Sequence, residues 1–180
     1  MRVFNLIALA SALLLSACVF ESEAPLVPPA DYATPLAQGD YVMFQREDSG
    51  EWTKDSDNTL TLADQTYTIT NSDGPMRFTL YRVSPKIFLV QVSEKPDEGA
   101  YALLEPTDTG AEITTLACNS LCAVERARFN LAPSSETRCV FTTLDDVVTA
   151  ALYLKGRGET PSLRLEKQEP KTTPVVSPSP

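Results

Sequence analysis

The stretch Met76-Arg77-Phe78-Thr79-Leu80, followed beyond Ser84-Pro85-Lys86 by Ile87-Phe88-Leu89-Val90-Gln91-Val92, decides the fold class. Its first part alternates apolar and polar side chains, the period of a half-buried strand. Its second part is a near-continuous apolar run, as expected of a strand covered on both faces. The same period of two recurs on either side. Tyr41-Val42-Met43-Phe44 comes first, then Leu60 and Leu62 alternate with Thr, as do Tyr67 and Ile69. Tyr101 to Leu104 and Glu112 to Leu116 follow, and Leu163 with Leu165 suggests a last strand. Between these runs lie Asp64-Gln65, Asn71 to Pro75, Lys95 to Gly99 and Pro106 to Gly110, all with turn chemistry. Short strands joined by short turns predict an antiparallel meander, because parallel neighbours need long crossovers. The expected fold is therefore mainly β, a meander forming a small barrel or curled sheet, with one C-terminal amphipathic helix.

That helix is written in Thr143 to Gly156. Thr143 is placed to cap it, with Asp146 at the third helical position. Leu144, Val147, Val148, Ala151 and Leu152 fall on one apolar face. Lys155 suits the negative end of the helix dipole, and Gly156 suits a left-handed cap. So uniformly aliphatic a face predicts packing against the sheet.

The globular domain is expected over residues 39–167, enough chain for one domain with a real core but not for two domains. Ahead of it, residues 18–38 carry Pro25, Pro28, Pro29 and Pro35, a composition expected of an extended tether. Behind it, residues 168–180 read as a disordered Pro-rich tail.

Residues 1–17 have the form of a signal peptide. Arg2 gives a positive start, and Val3 to Leu15 is an apolar run of thirteen residues, short of the roughly 20 that span a bilayer. Leu15-Ser16-Ala17-Cys18 resembles the lipobox of bacterial lipoproteins. The resemblance implies cleavage before Cys18 and acylation of that residue, which makes the lipid bilayer the first expected partner. Val19, where Asp would imply retention at the inner membrane, implies the outer membrane. Loss of Arg2 with the signal takes the formal charge from −9 to −10. An acidic body is repelled by anionic headgroups and by nucleic acid, so the anchor is expected to do the holding and no nucleic-acid partner is expected.

The chain contains no histidine, which removes Ser-His-Asp and Cys-His catalysis and His-ligated zinc. No Gly-x-Ser-x-Gly, Ser-x-x-Lys or phosphate-binding Gly-rich loop occurs. Asp55-x-Asp57-x-Thr59 begins like a calcium loop, but Leu60 stands where Gly is required and Thr66 where the bidentate Glu belongs. The acidic run is therefore read as a solvated loop, with no metal, no cofactor and no catalytic residue expected. After lipidation of Cys18, the cysteines Cys118, Cys122 and Cys139 remain. In an oxidising compartment Cys139 is expected to pair with Cys118 or Cys122 and so staple the helix to the sheet. Cys118 is the preferred partner, since both residues flank regular elements.

Gly50-Glu51-Trp52 resembles the Gly-x-Trp of lipocalins, and the order of meander, late helix and final strand resembles theirs. The motif opens the first strand in that family, whereas here it follows Tyr41 to Phe44. Apart from that resemblance, Trp52 reads as a half-buried rim aromatic. The functional expectation is a non-catalytic envelope lipoprotein that binds another envelope component, with a lipocalin-like carrier of a small apolar ligand as the alternative. A sealed barrel favours the first and an apolar cavity the second.

Overall fold

The computed structural model describes residues 19–93, 98–131 and 139–169. The described residues form ten strands: β1 (Phe20–Ser22), β2 (Gly39–Arg46), β3 (Trp52–Ala63), β4 (Thr66–Asn71), β5 (Gly74–Ser84), β6 (Ile87–Val92), β7 (Gly99–Thr107), β8 (Gly110–Thr115), β9 (Cys139–Phe141) and β10 (Leu163–Lys167). Two α-helices accompany them, α1 (Ala123–Arg128) and α2 (Leu144–Gly156). Strands β2 to β8 form an antiparallel meander, and β10 enters antiparallel between β2 and β8 to close an eight-stranded barrel. Barrel rather than open sheet is thus the outcome of the meander.

Closure depends on a close approach at Gly110, which opposes Glu166 of β10. A Cβ at Gly110 would overlap the carbonyl oxygen of Leu165, so only glycine lets β10 lie this near to β8. At the β3–β4 hairpin, Asp64 (φ 48°) and Gln65 (φ 61°) both adopt the left-handed conformation of a two-residue type I′ turn.

Alternation sorts the apolar side chains into two cores. Tyr41, Met43, Leu60, Tyr67, Ile69, Phe78, Leu80, Phe88, Val90, Leu104 and Leu165 point into the barrel. Leu89, Tyr101 and Leu103, one residue out of phase with their neighbours, point outward and are covered in turn. Their cover is a side layer in which Phe20, Cys118, Leu121, Phe129, Cys139 and Phe141 join Val147, Ala150, Ala151 and Leu154 of α2. The apolar run from Ile87 to Val92 is buried on both faces because it forms the shared wall between these two cores.

Residues 19–38 correct the expectation of a tether. Strand β1 pairs antiparallel with β7 and parallel with β9, and Val19 bridges Ala117. The chain then crosses the outside of β6 and β5. There the Gln91 side-chain carbonyl accepts hydrogen bonds from the amides of Leu26 (2.8 Å) and Val27 (2.9 Å). Pro28 and Pro29 lead into a single 3₁₀ turn, the Ala33 amide donates to the Leu80 carbonyl, and Leu36 enters the end of the barrel. The prolines fit because they fix the backbone of a strap that makes few ladder bonds. The composition signalled an extended chain; four apolar residues, Val19, Phe20, Val27 and Leu36, spaced along it turn that chain into cover.

The late helix starts as expected, the Asp146 amide donating to the Thr143 hydroxyl (3.2 Å). Its buried face is Val147, Ala150, Ala151 and Leu154, while Leu152 is 40% exposed. The expected face is thus rotated: Leu152 turns outward, and contact with the wall takes the stripe carrying the small Ala150 and Ala151. The left-handed glycine is Gly158 (φ 93°) and not Gly156, which remains helical. Helix α1 was not anticipated. Its Glu125 carboxylate accepts from the Tyr153 hydroxyl and the Cys122 amide and pairs with Arg157, tying α1 to α2. These partners, Tyr153 first, lower the Glu125 carboxyl to about 2.

Candidate ligand site

The two ends of the barrel differ. At one, Leu36 sits over the core as a plug, its amide donating to the Tyr67 hydroxyl while that hydroxyl donates to the Leu36 carbonyl, both at 2.9 Å. The Tyr41 hydroxyl donates to the Ala37 carbonyl (2.7 Å) beside it. Burial raises the pKa of both phenols above the ordinary tyrosine value, so they stay protonated and keep these bonds across the neutral range. This end is closed.

At the other end, a cavity of about 210 Å³ reaches into the barrel. Met43, Ile69, Val90, Ala102, Leu104 and Leu165 line its inner part. Met76, Val92, Ile113 and Leu163 line its mouth and remain only partly buried. Around the opening stand Gln45, Arg46, Asn71, Asp73, Thr115 and Ser162. Large side chains on β2, β4 and β5 fill the closed half, Tyr41, Tyr67 and Leu80 among them. Smaller or flexible ones, Ala102, Val90, Met43 and Met76, leave the open half unfilled. An eight-stranded barrel is just wide enough either to be filled by its side chains or to leave room for one small ligand; here one end is filled and the other keeps a cavity.

Asn58 is the polar residue of this wall. It faces inward, opposite Tyr41 and two residues before Leu60, and is 4% exposed. Its Nδ2 donates to the Ser56 carbonyl (3.1 Å) and hydroxyl (3.0 Å), whereas its Oδ1 meets no donor. The inward phase of Leu60 extends back to Asn58, but a polar residue in that phase carries no strand signal of its own.

Among the sites expected from sequence, Cys18 lies outside the described residues. Cys118 and Cys139 form a disulfide, joining the 3₁₀ turn after β8 to β9. Cys122 is free and exposed at the start of α1. The acidic run does not form one loop: Glu47, Asp48 and Glu51 occupy the β2–β3 hairpin, while Asp55 and Asp57 are exposed on β3. No group of three or more metal-ligating side chains occurs among the described residues, and no described helix is long and apolar enough to cross a membrane. Trp52 is half-buried at the start of β3 on the barrel exterior, with the Arg164 guanidinium 4.3 Å and that of Arg46 5.9 Å from its ring centre. It therefore opens the second strand of the barrel and not the first. No family model, curated protein or solved structure matches the chain.

Proposed function

We propose that this chain is a lipid-anchored envelope protein whose barrel binds a small, largely apolar ligand through its open mouth. One observation carries the reading: the blind cavity, in which Met76, Val92, Ile113 and Leu163 stay partly uncovered although the fold buries comparable side chains elsewhere. Leaving apolar surface in a concave mouth forgoes roughly 25 cal/mol per Å², which a bound apolar group recovers. At about 210 Å³ the cavity is smaller than the ~300–1,000 Å³ of sites for drug-sized ligands. The occupant is therefore a short chain or single ring, or the end of a longer molecule.

Titration with the apolar fluorophore N-phenyl-1-naphthylamine tests the site. Saturable enhancement is expected in the wild type. Ile113→Trp, which blocks the mouth, is expected to weaken binding about tenfold or more while leaving thermal unfolding within a few degrees. Equal affinity in the two proteins would place the fluorophore elsewhere and refute the reading.

The anchor is proposed from Leu15-Ser16-Ala17-Cys18. With Val19 buried and Phe20 in the sheet, an acylated Cys18 has no spacer and holds the side layer close to the headgroups. Cys18→Ser is expected to lose radioactive fatty-acid labelling, accumulate as precursor and disappear from outer-membrane fractions. Labelling that persists in this mutant removes the assignment.

A further inference from the structure

We propose, resting on the cavity as the ligand site, that Asn58 selects ligands that present a hydrogen-bond donor, an alcohol, amide or amine on an otherwise apolar body. The inference comes from one atom. Asn58 lines the cavity, is 96% buried by its 4% exposure, and its Oδ1 has no partner. The amide cannot simply turn over to cure this, because its Nδ2 is held by two oxygens of Ser56, one of which, the backbone carbonyl, only accepts. Oδ1 is therefore fixed as the end that faces away from Ser56. Buried side-chain acceptors are nearly always paired, and a bare one is costly.

Chemistry then separates possible ligands. A hydroxyl or N–H reaching Oδ1 completes the pair. An ether brings only an acceptor and leaves two oxygens opposed. A carboxylate adds an uncompensated charge in an apolar wall, which is worse. Sites built to meet a donor discriminate against analogues that lack it far more strongly than apolar pockets discriminate by size.

The test compares octan-1-ol with 1-methoxyheptane, of equal heavy-atom count, and with octanoate, each displacing N-phenyl-1-naphthylamine from the full mature protein. The alcohol is expected to bind about tenfold more tightly than the ether, the factor of one net hydrogen bond, and octanoate most weakly. In Asn58→Leu, of similar volume, the alcohol and ether are expected to bind alike. The same variant is expected to melt higher than wild type, because it removes a buried bare acceptor; a residue retained only for its bonds to Ser56 would melt lower. Equal binding of alcohol and ether to the wild type overturns the role of Asn58 and leaves the apolar site standing. Displacement by none of the three overturns the cavity reading and this inference with it.

Discussion

Phe20→Ala is expected to lower the stability of the mature protein by about 3–5 kcal/mol, the usual cost of truncating a buried phenylalanine. Phe20 is fully buried, its ring 4.7 Å from that of Phe141, and its amide donates to the Leu116 carbonyl. It sits where β1 joins β7 to β9, so the cavity left behind lies between the barrel wall and the disulfide-bonded layer. Against a typical total of ~5–15 kcal/mol, the loss is a large fraction. Urea unfolding measures it directly. Glu23→Ala, three residues on and exposed, serves as the control and is expected to stay within about 0.5 kcal/mol. Were residues 19–38 a free tether, the two substitutions would be equally silent, and that result would dismiss the packed strap.

The second large effect belongs to the disulfide. Cys118 and Cys139 are separated by 21 residues, and closing such a loop is worth about 3 kcal/mol in the chain-entropy account. For a domain of this size the reduced protein is expected to melt ~10 °C below the oxidised one. Cys118→Ser and Cys139→Ser should each abolish the effect of reductant, and equally. Cys122→Ser should leave it intact, since Cys122 is exposed and outside the bond. Loss of the difference in Cys122→Ser, or its survival in Cys139→Ser, would contradict the pairing. Both cysteines of the bond are buried in the side layer together with Phe20, so the two predictions probe one structure from opposite sides.

Much of the barrel was legible because strand alternation is a local signal. Met76-x-Phe78-x-Leu80 points every second side chain one way in any context, and the turns between strands leave only the next strand as neighbour. The pairing of Cys139 with Cys118 agrees with the expectation, but flanking a regular element does not separate the candidates, since Cys122 itself starts α1. Burial does, Cys118 and Cys139 lying in the side layer and Cys122 at the surface. The helix was found, yet its buried stripe was rotated, since an apolar periodicity does not say which side meets the wall. Prolines misled over residues 19–38. They reported an extended backbone correctly and said nothing about whether a surface awaited it.

The antiparallel meander, most of its turns and the capped helix follow from residues near one another in the chain, and the lack of histidine follows from composition. The tertiary structure alone decided that the meander closes, that one mouth is plugged by Leu36 and the other left open, and that Asn58 is buried with a bare oxygen. Each of these is a contact between distant residues: Gly110 with Leu165, Leu36 with Tyr67, Asn58 with a wall assembled from strands throughout the barrel. Closure fixes how much volume the inward side chains must fill, and a shortfall in that volume is a property of the whole ring that no single strand encodes.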